Sequence, residues 1–186
     1  DALLSASPTP TRPQTVLIGC PPGEWHTFTP LMLSLFLRRR GLNVIYLGAN
    51  VPAERFEETV AKIRANLVIL VAQSLTSAAT LQTTAFSLLG QNTPVCYGGR
   101  IFIMRESLRE YIPGHYLGNA VDASMEQVEK ILKSKDKAKE TKVVSQEYTA
   151  ALHAFTARRA NIENTIREMI QPLSVDPEHL NTGIHF

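Results

Sequence analysis

Leu67 to Ala72 reads LVILVA, an apolar run without a polar interruption. It is too short for an ordinary helix and rich in β-branched residues, which marks it as a strand. A strand that is apolar at every position has no face to turn to water. Both faces must be covered, as they are in parallel sheets with helices packed on either side. Thr15 to Cys20, TVLIGC, has the same character. Further strands are predicted at Asn43 to Leu47, Pro94 to Tyr97 and His115 to Leu117. They alternate with helical patterns near Phe28 to Arg40, Ala53 to Ala65, Ala78 to Leu89, Arg105 to Tyr111 and Ala123 to Ser134. Repeats of strand and helix in this order predict an α/β fold built on a doubly wound, five-stranded parallel sheet.

The flanks of this domain, residues 15–134, differ from it in composition. Residues 1–14, DALLSASPTPTRPQ, set three prolines among small polar residues and read as a linker. The chain opens at Asp1 rather than a methionine and closes on LNTGIHF, which gives it the look of a piece of a longer protein. Residues 135–144 are a charged linker within KSKDKAKETK, where Asp136 and Glu140 interleave with lysines as on a solvated segment. With a formal net charge of only +2, direct nucleic-acid binding by this chain is not expected.

Residues 145–186 are predicted as a helical extension. From Ser145 to Gln171 the residues Tyr148, Leu152, Phe155, Ile162, Ile166 and Met169 fall at helical spacing. Such a stripe must be buried, either against the sheet domain or as the first helix of a larger helical module. Arg159 stands where the stripe calls for an apolar residue, which speaks against a clean two-stranded coiled coil. Further on, Asp176 caps a short helix with Pro177 at its first position.

An apolar fraction of 44% is that of a globular protein, and no apolar run reaches the roughly 18 residues of a membrane span. A soluble, cytoplasmic protein is expected. Cys20 and Cys96 lie inside strand-like apolar runs and read as buried thiols rather than a redox pair.

In a doubly wound sheet, ligands bind at the carboxyl ends of the strands. The loops there are PPGEWHT, GANVP, AQSLTS, YGGRIF and GNAVD. In the first, Glu24 stands two residues before His26, after the turn-forming Gly23. A carboxylate bonded to one imidazole nitrogen fixes the tautomer and raises the basicity of the other, the arrangement of a metal-ligating histidine. The same pair suits a general base, but no nucleophile is partnered to it, and Ser74 lacks a nucleophile-elbow context. Catalytic residues are therefore not assigned. A zinc site is disfavoured too, since one histidine with scattered Cys20 and Cys96 lacks paired ligand spacing. One protein ligand suits a metal already held by its own macrocycle.

Glu24-x-His26-x-x-Thr29, then Ser74-Leu75-Thr76, then Gly98-Gly99, resembles the Asp-x-His-x-x-Gly, Ser-x-Leu and Gly-Gly elements of cobalamin-binding domains that bind with base off and histidine on. The phrases GEWHTFTPLMLSLFLRRRGLNVIYLGANVP and YGGRIF look most similar to light-sensing cobalamin-binding domains associated with MerR-type transcriptional regulators. The resemblance covers about Thr15 to Lys133 and implies a Rossmann- or flavodoxin-like cobalamin-binding fold. It makes His26 the lower axial ligand of cobalt and Glu24 its hydrogen-bond partner. Ser74 and Thr76 would meet the buried dimethylbenzimidazole tail, with Gly98 and Gly99 letting the nucleotide loop lie against the backbone. Trp25, Thr29, Val51, Pro52, Leu75, Arg100 and Gly118 complete the expected cofactor-binding set. Two departures stand out. Glu24 is one methylene longer than Asp, and Thr29 replaces the motif's final Gly, followed by Pro30. The upstream helical bundle that covers the corrin's upper face in such regulators does not fit within residues 1–14.

What the resemblance implies is a binding and signalling module rather than an enzyme. Adenosylcobalamin is its favoured cofactor, and self-association or an attached output domain is its means of signalling. Two alternatives share the fold: a corrinoid shuttle domain of a methyltransferase, and a biliverdin-binding photoreceptor motivated by Thr29 and the carboxyl-terminal helix.

Overall fold

The computed structural model describes residues 9–134, 141 and 146–170. The expected helix at Asp176 and Pro177 and most of the charged linker lie outside the described residues. The chain divides into two compact units, Asp1–Thr141 and Lys142–Phe186.

The first unit holds a five-stranded sheet of order β2-β1-β3-β4-β5, parallel throughout. The strands are β1 (Thr15–Gly19), β2 (Asn43–Tyr46), β3 (Leu67–Val71), β4 (Val95–Gly98) and β5 (His115–Tyr116). Between and after them run α1 (Phe28–Arg39), α2 (Ala53–Ile63), α3 (Leu75–Leu88), α4 (Arg100–Met104) and α5 (Val121–Ser134). Every residue of β1 and β3 is buried. Successive side chains go to opposite faces, and both faces are apolar. Leu17, Val68, Leu70 and Val95 pack with Phe56 and Val60 of α2, Leu81 and Leu88 of α3, and Phe102 of α4. Val16, Ile18, Leu67 and Ile69 pack on the other face with Leu33 and Leu37 of α1 and Val128 and Ile131 of α5. This two-sided cover is why LVILV shows no alternation.

Three expected boundaries are corrected. The helix predicted at Arg105 to Tyr111 is instead α4 followed by a 3-10 turn over Glu106–Glu110. Ile101 and Phe102 bury directly after the Gly-Gly pair and start the helix early, and Arg105, at φ −135 and ψ 76, ends it. The turn is then tied down by Arg109 Nε, which donates to the Phe102 carbonyl at 2.9 Å, and by the Tyr97 hydroxyl, which donates to the Arg109 carbonyl. Helix α3 begins at Leu75 rather than Ala78, because Ser74 and Ser77 form a reciprocal capping box. Strand β4 is shifted one residue from Pro94 to Tyr97, ending on Gly98.

The amino-terminal segment is fastened at the opposite end of the sheet from the candidate loops. Thr11 and Arg12 both donate backbone N–H groups to the Gly41 carbonyl, and the Arg12 guanidinium forms a two-pronged bond with Glu129 of α5 at 2.5 and 3.0 Å.

The second unit contains α6 (Gln146–Ile170), on which Phe155, Ile162, Ile166 and Met169 are exposed. Among the described residues no helix is long and apolar enough to cross a membrane.

Candidate functional site

The strand order reverses between β1 and β3, since β2 follows β1 on one side and the chain then returns to β3 on the other. Loops leaving these neighbouring strands diverge to opposite faces, opening a crevice at their carboxyl ends. Glu24 spans that crevice. Its loop turns tightly, with Glu24 N–H donating to the Pro21 carbonyl at 3.0 Å and Gly23 at φ +80. The β2 loop braces it from one side, where Asn50 Oδ1 accepts from Gly23 N–H at 2.8 Å and Asn50 N–H donates to the Glu24 carbonyl at 2.9 Å. Thr80 of α3 braces it from the other, its hydroxyl donating to the Pro22 carbonyl at 2.6 Å.

The Glu24 side chain is only 1% exposed, and both oxygens are engaged. Oε1 accepts from His26 Nδ1 at 2.6 Å and from the His26 backbone N–H at 2.9 Å. Oε2 accepts from Gln73 N–H and from the Ser77 hydroxyl, each at 2.6 Å. Burial by itself pushes the carboxyl group up. The hydrogen bonds from Ser77, the His26 and Gln73 backbones and the His26 ring outweigh it and hold Glu24 below its ordinary value. Glu24 is thus a carboxylate at neutral pH, and a carboxylate only accepts. Nδ1 therefore carries a proton, and in the neutral imidazole the lone pair is on Nε2. The His26 side chain is 74% exposed, so that lone pair is presented outward.

The surroundings are apolar and open. Trp25 and Phe28 beside His26, Leu75 at the start of α3 and Val121 at the start of α5 are all exposed, and all lie at the carboxyl-end side. At the end of β4 the two glycines differ. A Cβ on Gly98 would meet nothing within 4 Å, whereas one on Gly99, at φ +124, would overlap the Ala72 carbonyl. Gly98 leaves a space and Gly99 closes the backbone of β4 against β3. Among the described residues no group of three or more His, Cys, Asp and Glu is gathered around a common point. The donor set fits a metal that needs one imidazole from the protein and brings its remaining ligands in a flat macrocycle. The apolar rim and the space at Gly98 fit the bulk of such a group.

Of the residues expected at the site, Glu24 and His26 are brought together. Ser74 is beside them, its hydroxyl committed to capping α3 through Ser77 N–H at 3.2 Å. Arg100 is joined indirectly, its N–H donating to Gln73 Oε1 at 2.9 Å. Trp25, Thr29, Pro52, Leu75 and Thr76 lie exposed around the crevice. Val51 turns its side chain into the core, and Gly118, at φ +87, forms the loop after β5. Thr29 and Pro30 occupy the first turn of α1, where proline's missing N–H costs no helical hydrogen bond. Ser77 and Gln73 were missed. The signal for Ser77 was its place three residues after Ser74, the spacing of a cap; for Gln73, which acts through its backbone, there was none. Cys20 and Cys96 are both buried. Burial, with the nearby Glu24 charge, pushes the Cys20 thiol up to about 12, and burial pushes Cys96 up as well, so neither is a ready thiolate.

A family model for the B12 binding domain matches residues 14–128. The HTH-type transcriptional repressor CarA of Myxococcus xanthus is 36% identical over 64 residues, covering 34% of this chain and 22% of the repressor. The chain thus spans about a fifth of that relative's length. Among solved structures, the methanol:cobalamin methyltransferase complex MtaBC of Methanosarcina barkeri superposes with a TM-score of 0.55 at 25% identity, over 70% of this chain and 50% of that one. A cobalamin-binding protein of Desulfitobacterium hafniense DCB-2 superposes with a TM-score of 0.56 over 62% of this chain and 58% of that one, and at 16% identity shares the fold.

Proposed function

The chain belongs to the B12-binding domain family, and on that premise we propose that it holds adenosylcobalamin through His26 and serves as a light-sensing regulatory domain. The observation that carries the ligand reading is the outward Nε2 of a histidine whose Nδ1 is fixed by a buried, ionised Glu24. Held there by His26, cobalamin would supply the light-sensitive organometallic chemistry of its cobalt. The protein's part is positional. His26 offers one lone pair in one direction, Glu24 fixes the tautomer that offers it, and Gln73 and Ser77 fix Glu24. The space at Gly98 would take the cofactor's tail, and the rim of Trp25, Phe28, Leu75 and Val121 would exclude water from the corrin face.

The regulatory reading is supported by the relation to a transcriptional repressor and by the GEWHTFTPLMLSLFLRRRGLNVIYLGANVP phrase that resembles light-sensing domains. Light would act by changing cobalt ligation. Signalling would follow because the two cofactor states contact the protein differently and bias its assembly. In this proposal residues 15–134 are the sensor, residues 1–14 and 135–144 are linkers, and residues 145–186 pass the change on to a second copy or an attached output domain. The likeness to the MtaBC complex favours a second reading, a corrinoid shuttle that presents cobalt to a methyltransferase partner.

The test is an absorption spectrum of the purified chain with adenosylcobalamin, recorded in the dark and after green illumination, beside His26→Ala. A histidine-ligated spectrum that changes irreversibly in light and vanishes in the variant is the expected result. Bound cobalamin that is unaltered by light would favour the shuttle. Failure to retain cobalamin would overturn both, and a red-absorbing pigment with biliverdin would then point to a bilin.

A further inference from the structure

Helix α6 (Gln146–Ile170) carries a seam that the cofactor reading does not use. Leu152, Phe155, Arg159, Ile162, Ile166 and Met169 follow one another at alternating steps of three and four, and Tyr148 extends the series one step back. This is the a/d repeat of a coiled coil, with Leu152, Arg159 and Ile166 at a and Phe155, Ile162 and Met169 at d. Phe155, Ile162, Ile166 and Met169 are 56%, 40%, 41% and 63% exposed. Large apolar groups in one line on so long a helix call for a partner of the same kind.

Arg159, on sequence the objection to such a seam, is answered by the structure. Its Nε lies 2.6 Å from Glu163 Oε1, so its charge is balanced on its own helix and its aliphatic stem is left to lie along the seam. A single charged residue at an a position costs stability but selects register and oligomer size. The flanking positions select direction. Arg158 is at g and Glu163 at the following e. In a parallel, in-register pair each g faces the e of the other helix five residues on, so Arg158 meets Glu163 of the second copy on both sides of the seam. In an antiparallel pair g faces g and e faces e, which sets like charges on the same side.

We propose that α6 docks against α6 of a second copy of this chain as a parallel, in-register, two-stranded coiled coil. The proposal is independent of cobalamin and is tested without it. By light scattering or sedimentation, the full chain is expected to give a concentration-dependent dimer mass. Arg158→Glu and Glu163→Arg should each raise the dissociation constant about tenfold, for two paired sites at about 0.7 kcal/mol each. The double exchange R158E/E163R should recover the part of the loss that comes from the interhelical pairs, leaving only the cost of the Arg159–Glu163 bond that Glu163→Arg also removes, and damage to folding would give no such recovery. Ile162→Cys and Met169→Cys should each form an interchain disulfide, whereas an antiparallel pair links at most one of them. A chain that stays monomeric, a dimer indifferent to the charge exchanges, or linkage at only one of the two positions would overturn the proposal.

Discussion

Glu24 Oε1 lies 2.6 Å from His26 Nδ1 and 2.9 Å from the same residue's backbone N–H, so one carboxylate oxygen fixes both the ring and the main chain of the histidine it orients. The other oxygen reaches across the crevice to the start of α3, which ties the direction of the imidazole to the sheet itself.

The first consequence is a dependence of stability on pH that runs through Glu24. Its carboxyl group is held below its ordinary value in the folded chain, so it binds a proton more readily when unfolded. Its contribution is complete above the ordinary carboxylate range and is lost as the pH falls through the lowered folded value. Glu24→Gln, which turns an amide donor toward existing donors, should cost about 1–3 kcal/mol at pH 7. Urea unfolding at pH 7 and pH 3.5 should show the gap between wild type and variant closing at the lower pH. A gap that widens would contradict the assignment of Glu24 as a buried carboxylate. The same substitution should weaken cobalamin binding about 10- to 100-fold, read by spectral titration.

Ser77→Ala removes a donor to Glu24 and half of the capping box of α3 at once. A loss of about 2 kcal/mol in thermal or urea unfolding is expected. Ser77→Thr, which keeps the hydroxyl, should retain more of the stability than alanine does if the hydroxyl rather than the side-chain volume is what matters.

Adjacent glycines should respond in opposite ways. Gly99→Ala places a side chain at φ +124 and against the Ala72 carbonyl, and should lower stability by at least about 2 kcal/mol. Gly98→Ala puts a methyl group into open space at ordinary backbone angles, so the fold should keep its stability within about 1 kcal/mol. If the cofactor tail uses that space, crowding of about 1–3 kcal/mol should cut affinity about 10- to 100-fold. Unchanged binding by Gly98→Ala would place the tail elsewhere.

Much of this protein was legible in short segments. LVILV and the VLI of TVLIG read as strands covered on both faces, because they are short, rich in β-branched residues and apolar on both sides, and that implied helices on two sides of a parallel sheet. The pairing of Glu24 with His26 was legible for the same local reason, since two residues apart in a glycine turn is within reach of one hydrogen bond. The boundary of α4 was not. Ile101 and Phe102 are drawn into a core assembled from α2, α3 and β4, and the pull of that core is absent from any window of the sequence. Ser77 was hidden because its partner is 53 residues away, across the crevice. The sequence by itself determined which segments form the buried strands of the sheet and which histidine a carboxylate could orient, because both follow from interactions between neighbours in the chain; it did not determine the fate of the α6 stripe, whose Phe155, Ile162, Ile166 and Met169 are exposed. Only the tertiary structure decided that the carboxylate is sealed and kept charged, because two of the donors that offset its burial, the Gln73 N–H and the Ser77 hydroxyl, reach it only once β1 and β3 lie side by side.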